Sequence, residues 1–542
     1  MAGLPSFSSV NYQHVAAVKA ALALAAAALL AWWWYAERTE RPGRPTWRQL
    51  ALATIGVLSL LAWWNFGRFH FGGGYVHYHE FFHYYLNSKY LSELGYTGLY
   101  DCVALAEIEA GRRLEVEQRW IRDLSTNELG RGSPVLDDPA LCRARFASPS
   151  RWNAFTTDVA WFRTHMNDRK WIDVLTDHGY NATPVWSIAG GWLSNTGPAS
   201  DTQILWLTFI DAVLLVVMWA LVWWAFGWQV LCVALIWWGT NYPARYNYVG
   251  GAFLRQDWLL LAVASICFAR RRWMAASGFC LTWSALLRIF PAFIAVGLLL
   301  KIVFDAWGAK RLKLAPDHVR FAAGALVALA LLVPTSQVVA KSDTETASPW
   351  IAFAENSRKL LSTPLTNHIG LPVVLSFSPS SRAQNLKPFW LDSPWDVWKD
   401  ARRRLFAERR VIFAVLILGF VCLLGAAVRS LDDWEALVLG VGAIPVFTQL
   451  TGYYYSVLLV YAFFWPRIAP IGIGLPLLAL STGVTTAVLT EDDDRYTVIS
   501  AMILLFVAAA TWLVARHARR RAPDTLRGAL IERAPHAPSY GS

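Results

Sequence analysis

An all-α polytopic membrane protein is the fold class this sequence predicts, and three observations predict it. Hydrophobic residues make up 56% of the 542-residue chain, tryptophan occurs 30 times, and apolar runs recur along most of its length. Apolar runs of roughly 20 residues match the hydrocarbon thickness of a bilayer, whereas soluble domains alternate apolar and polar residues at helical or strand period. The formal net charge of +11 would suit nucleic acid, but the arginines cluster beside the apolar runs. There they hold loops on the cytoplasmic side and meet anionic headgroups, so membrane lipids are expected partners and nucleic acid is not.

Taken in order, the first span is expected at residues 15–35, and it is read as retained because no small-residue cleavage site follows its Ala-rich stretch. Arg38, Arg41, Arg44 and Arg48 then precede a second span at 51–66. A basic loop belongs inside, which places the N-terminus and residues 72–101 outside. From Gly98 to Asp201 the chain is polar, with charges of both signs and helix-like stretches such as 104–120. A connection of that length is usually functional.

Spans resume at 204–226 and 229–238, and after an outside loop at 241–256 another covers 258–269, with Arg270, Arg271 and Arg272 marking the inside. The next apolar run, 275–304, ends on Lys301, Lys310, Arg311 and Lys313, so both its ends are cytoplasmic. Two full crossings need roughly 40 residues, more than this run holds. Two short helices meeting part-way, broken at Arg288-Ile289-Phe290-Pro291, satisfy both constraints because proline removes a backbone donor. Arg288 then lies deep in the protein, where an arginine needs an anion.

A span at 321–340 leads to a second outer segment, 341–410, and further spans follow at 411–428, 436–449, 454–465, 468–489 and 498–515. The total is about 13. The acidic turn at 491–494 falls outside and the basic residues at 516–521 inside. Arg402, Arg403, Arg404, Arg409 and Arg410 fall outside by parity. Either a membrane segment near 369–377 is missing from the count, or these residues form an amphipathic helix on the outer surface, which is the preferred reading. The regions are therefore 1–66, N-terminal spans; 67–203, an outer loop; 204–340, a central bundle with the broken pair; 341–410, a second outer segment; 411–515, C-terminal spans; and 516–542, a basic cytoplasmic tail.

No fixed-period repeat, phosphate-binding loop or dinucleotide fingerprint is present, so ATP-driven transport has no support. Four of the six cysteines, Cys232, Cys267, Cys280 and Cys422, lie in apolar runs. Cys102 and Cys142 share the outer insertion; an extracytoplasmic location would allow a disulfide, and the alternative is two free thiols.

The chemistry concentrates in the stretch 72–101, where His77, His79, Glu80 and His83 stand among aromatics directly after a span. Ionisable groups crowded against a membrane are costly unless they act on something. His79-Glu80-Phe81-Phe82-His83 matches H-E-x-x-H. On a helix the two histidines would share a face and could bind zinc while Glu80 activates a water, with Glu107 a possible third ligand; this is one reading, a zinc-dependent membrane metalloprotease.

The same segment carries a resemblance in another frame. Glu80, Tyr84, Tyr85, Leu94-Gly95 and Gly98-Leu99-Tyr100-Asp101 resemble the first outer loop of GT-C superfamily glycosyltransferases, in the branch of polyprenyl-phosphate-sugar-dependent mannosyltransferases and arabinofuranosyltransferases. Gly179-Tyr180-Asn181-Ala182-Thr183-Pro184 is similar to that branch's Tyr-x-Pro element. Leu286-Leu287-Arg288-Ile289-Phe290-Pro291 is similar to its Leu-Lys-x-x-Pro break, with Arg for Lys, and Pro364-Leu365-Thr366-Asn367-His368 to its Asn-containing outer loop. These short segments fall in order within 50–465. Two departures stand out: the usual first-loop aspartate is Glu80 here, and the outer insertion is longer than is typical.

The resemblance implies a GT-C-like bundle in a bacterial inner (plasma) membrane with its active site on the extracytoplasmic face. The implied activity is inverting transfer of a sugar from a polyprenyl-phosphate donor to a glycan, lipid or protein acceptor. Such transfer needs a carboxylate base and cations for the departing phosphate. Glu80 is the expected base, His79 and His83 hold the acceptor or tune that base, and Arg255 and Arg288 meet the phosphate. Asp257 would orient Arg255, and Asn367 and His368 would reach phosphate or sugar. No metal or other cofactor is required in this reading.

Simpler roles exist for each residue. Arg255 suits an interfacial anchor, Arg288 a partner for a buried carboxylate such as Asp211, His368 a loop position without a ligand, and Arg358 and Lys359 a solvated surface. Tyr453-Tyr454-Tyr455 and the tryptophans suit an interfacial aromatic belt. A third functional class is a non-catalytic lipid or polysaccharide transporter, or an accessory subunit of a membrane complex.

Overall fold

Long apolar runs become long helices because no water in a bilayer can satisfy their backbone groups. The computed structural model describes residues 11–39, 45–71, 74–308, 314–342, 347–386 and 395–521. Seven helices among them are long and apolar enough to cross a membrane: Tyr12–Arg38, Asp201–Phe226, Phe290–Trp307, Pro316–Val339, Arg410–Val428, Ala469–Val488 and Asp492–Arg519. Pro45–Trp63, Trp228–Thr240, Asp257–Arg270 and Met274–Arg288 pack among them. The protein is thus an all-α integral membrane protein with very little sheet. Gly72, Arg41, Arg44, Lys310, Arg311, Lys313 and the tail beyond 521 lie outside the described residues.

The broken run forms as expected. Met274–Arg288 ends at Ile289, which has φ of 57°, a 3-10 turn covers Phe290–Ile294, and Ala295–Gly308 follows. Its two arms take different partners through glycine contacts that allow backbones to close. A Cβ on Gly278 would meet the Phe321 carbonyl at 2.0 Å, and one on Gly297 would meet the Ala436 carbonyl at 1.9 Å. The free ends of both arms come back together. Ala275 lies against Gly324, while Lys301 Nζ lies 3.7 Å from Asp433, which is 3.2 Å from His318. Residues 274–308 therefore go in and return, with Arg288 at the turn.

Two segments differ from expectation. Residues 452–464 form a 3-10 helix of 13 residues, Gly452–Phe464. At a rise of about 2.0 Å per residue it spans about 26 Å, where an α-helix of equal length would reach about 20 Å. Residues 104–120 are not one helix: Leu99–Glu109 stops at Gly111, whose φ is +84°, and Arg113–Gln118 follows. Trp120 opens a strand, Trp120–Asp123, that pairs antiparallel with Glu128–Arg131.

The outer insertion, the second outer segment and the acidic turn pack as one body. Asn127 Nδ2 donates to Thr363 Oγ1, Asn356 Nδ2 to the Tyr180 carbonyl, and Arg382 Nε to Asp494. The expected helix carrying the arginines of 402–410 is present as Asp396–Glu408, with Arg403 and Arg404 exposed on it. The arginines do not lie on the membrane surface as a set: Arg402 is buried and donates to Asp493, Ser376 and the Val373 carbonyl, and Arg409 donates to the Leu375 and Phe377 carbonyls. Charges already neutralised by protein groups have no reason to obey the positive-inside tendency. The alternative, a crossing near 369–377, is a helix of five residues, Leu371–Leu375, too short to span.

Cys102 and Cys142 are joined in a disulfide across a sequence separation of 40. A loop of that size should contribute about 3–4 kcal/mol by limiting the unfolded chain. Reductant should therefore lower the unfolding temperature of the wild type but not of a Cys102→Ser, Cys142→Ser variant, which starts lower.

Candidate active site

Successive residues on a helix point about 100° apart, and that geometry separates the work of His79 and Glu80. His77 caps the short helix Tyr78–Phe81, its Nδ1 accepting from the Glu80 N–H, and a π-helical turn, Phe82–Leu86, follows. His79 turns toward the outer insertion, where its Nε2 lies 2.8 Å from Asp177 Oδ2. Glu80 turns toward the membrane helices, where its Oε2 accepts from Arg255 Nη1 at 3.0 Å.

Arg255 is held from three sides. The loop before it needs left-handed backbone at Gly251, φ +66°, and at Leu254, φ 49°. Any Cβ on Gly251 would meet the Tyr75 carbonyl at 1.8 Å, so glycine lets this loop lie against the segment that leads to Glu80. Asp211 accepts from the backbone N–H groups of Arg255, at 2.9 Å, and Gln256, at 3.2 Å. Tyr453 then stacks on the guanidinium, with 4.3 Å from Cζ to the ring centre.

Arg255, Gln256, Val249, Trp258, Tyr453, Tyr454 and Ser456 line a small cavity with room for about one water molecule. The Arg255 side chain is 2% exposed and its Nη2 has no hydrogen-bond partner, while Glu80 is 15% exposed. A buried guanidinium donor left open beside a cavity is able to bind an anion. Arg288 approaches the same place from the membrane break. Its Cζ stands 5.6 Å from the Tyr84 ring, and its buried Nε is also without a partner.

The four quoted segments meet here. Tyr84 Oη donates to Asn181, Thr183 Oγ1 donates to the Leu287 carbonyl beside Arg288, and Asn367 accepts through its carbonyl from Gly452 N–H, next to Tyr453. His368 pairs with Thr451 as a strand. Its side chain is buried, Nδ1 has no partner, and it does not line the cavity.

Several expectations change. Asp257 does not pair with Arg255: its Oδ1 accepts from Trp258 N–H at 2.7 Å, and the cation's partner is Glu80. Arg288 is not paired with Asp211, whose carboxylate is taken by backbone donors. Tyr453 and Tyr454 are not part of an aromatic belt but walls of the cavity. Glu107 cannot serve the histidines, because Arg119 Nη2, at 2.5 Å, and Trp171 Nε1, at 2.9 Å, hold it. Lys359 is not simply solvated, since its Nζ donates to the Leu124 carbonyl.

Asp177 was invisible to sequence reasoning, lying 98 residues from His79 with no motif around it. It completes a group with His79 and His83 whose ligand atoms lie within 4.8 Å of one another, a set able to hold a divalent metal. His83 Nε2 is already within 2.8 Å of Tyr100 Oη and 2.9 Å of the Val174 carbonyl.

Burial opposes charge on His79, yet the hydrogen bond and charge of Asp177 outweigh it and raise its pKa above 6.5. Burial likewise works to raise Asp177, and His79 reverses this to hold it well below 3.8. Burial and the His79 charge push His83 down to about 4. The His79 contribution to stability is full below pH 6.5 and lost as pH rises through its raised value; that of Asp177 is full above pH 3.8 and lost on acidification. His83, with a lowered pKa, works the other way below pH 6.5. The readout is therefore a difference: His79→Gln should cost more unfolding temperature at pH 5.5 than at pH 9. The pair is about one-third exposed, so the cost should stay below about 1 kcal/mol and shrink with salt.

Comparison with family models, with curated proteins and with solved structures finds no match to this chain, so the site stands on its geometry alone.

Proposed function

We propose that this protein is an inverting membrane glycosyltransferase of GT-C-like architecture, using a polyprenyl-monophosphate sugar as donor and an acceptor hydroxyl on the extracytoplasmic face. The observation that carries the reading is the Glu80–Arg255 pair at a cavity walled by Tyr453 and Tyr454 and approached by Arg288. The disulfide in the outer insertion supports an oxidising compartment on that side. In this reading the shorter helices of the bundle are crossings too, beside the seven long apolar ones, for about 13 in all.

In the resting site Glu80 is occupied by Arg255. A lipid phosphate entering the cavity competes for the guanidinium and draws it away, and the carboxylate is then free to act as base. The acceptor oxygen forms a bond to the anomeric carbon as its proton passes to Glu80, and the bond from that carbon to the phosphate oxygen breaks on the opposite face. The electron pair leaves with the polyprenyl phosphate, whose charge Arg255 and Arg288 stabilise.

The test is transfer by purified protein in liposomes supplied with radiolabelled polyprenyl-phosphate sugars and a panel of glycan, lipid and protein acceptors. Label should move to an acceptor with inverted anomeric configuration; release of label only as free sugar, or none at all, opposes the reading. The His79–His83–Asp177 group favours a second reading, a zinc enzyme. It ranks lower because Glu80, the required water-activating base, faces Arg255 instead. One zinc per chain by elemental analysis, lost in His83→Ala together with protease activity, would reverse the order.

A further inference from the structure

A second cluster of cations lies away from the Glu80 cavity, and no carboxylate among the described residues pairs with it. Lys19 sits in the Tyr12–Arg38 helix beside Val18, whose side chain is 41% exposed on a surface that would face lipid. It lies seven residues, or roughly 10 Å, below the helix start. A lysine at such depth needs an anion or a strong dipole. Its Nζ donates to Asn65 Oδ1 at 3.3 Å, and Asn65 is a fully buried amide that donates in turn to Asn247 Oδ1, at 3.1 Å, and the Phe69 carbonyl, at 2.6 Å.

Two residues from Asn247, Arg245 stands in a cage of tyrosines. Its Cζ is 4.3 Å from the rings of Tyr242 and Tyr248 and 5.1 Å from that of Tyr12. Its terminal nitrogens donate to the hydroxyls of Tyr12 and Tyr248, and its buried Nε has no partner. Two cationic side chains set among neutral amides and phenols are costly to keep charged in the absence of an anion. The backbone around Asn65 is strained, with left-handed φ of 52° at Asn65 and 54° at Phe66, as at a place shaped for a ligand.

We infer that Lys19 and Arg245, with Asn65 and Asn247 between them, form a second site for the phosphate group of a membrane lipid, entered from the bilayer beside Val18. The inference does not rest on glycosyl transfer, since the charges need the anion whatever the protein does. Two sources supply that chemistry in a membrane, a phospholipid headgroup and a polyprenyl monophosphate.

Native mass spectrometry of the detergent-purified full chain, titrated separately with undecaprenyl monophosphate, phosphatidylglycerol and phosphatidylcholine, tests it. The combined Lys19→Met, Arg245→Gln variant should hold one anionic lipid fewer per chain than wild type, with phosphatidylcholine binding unchanged. Lys19→Arg should bind as wild type. Loss confined to undecaprenyl monophosphate identifies a prenyl lipid, and loss with phosphatidylglycerol identifies a phospholipid headgroup. An unchanged count with both anionic lipids, or equal loss in Lys19→Arg, would overturn the inference. Should the double variant not purify as a single species, Lys19→Gln carries the same test, with at least a tenfold weaker apparent affinity expected.

Discussion

Glu80→Gln should lower sugar transfer by about 10²–10⁴-fold, the usual contribution of a positioned general base. Donor binding should be unchanged or tighter in this variant, because the carboxylate that competes with lipid phosphate for Arg255 is gone. That pairing of outcomes is informative. A merely structural Glu80 would lose donor binding along with transfer, while the stability cost of a buried guanidinium left without its anion is expected in either case. Glu80→Asp keeps the charge but draws it back by one methylene, and it should retain a fraction of the activity. The measurements are single-turnover transfer and equilibrium binding of the same labelled donor.

The second large effect belongs to Arg255. Replacement by glutamine removes a donor aimed at the leaving phosphate and should cost about 10²–10³ in kcat, with a raised KM for the donor. A residue that only anchored the loop would reduce the amount of folded enzyme and leave the kcat and KM of the folded fraction in place. Arg255→Lys restores charge without the planar fork that reaches Glu80 while stacking on Tyr453, so it should rescue only in part. Breaking so buried a pair is expected to cost about 3 kcal/mol in stability as well.

Much of the architecture was legible because membrane solvation leaves strong marks. Runs near the hydrocarbon thickness gave the long helices, and the mismatch between charge placement and length at 275–304 gave the broken pair with Arg288 at its turn. What the pattern hides is tertiary. Glu80 and Arg255 are 175 positions apart, so their bond has no local signal. Asp177 is an ordinary acidic residue until the insertion folds it against His79. Tyr453 and Tyr454 carry the composition of an interfacial belt, and only the 3-10 geometry of Gly452–Phe464 turns them into the cavity wall beside Arg255. The charge rule misjudges Arg402 for a related reason: it counts basic residues but does not see Asp493 neutralising one.

The most direct measurement is a structure of the protein with a polyprenyl monophosphate bound in a lipid nanodisc. The account predicts phosphate density between the guanidinium groups of Arg255 and Arg288, over Tyr453, with the Glu80 carboxylate released and facing the space an acceptor would fill. Phosphate found elsewhere, with the Glu80–Arg255 bond intact beneath it, would contradict the account.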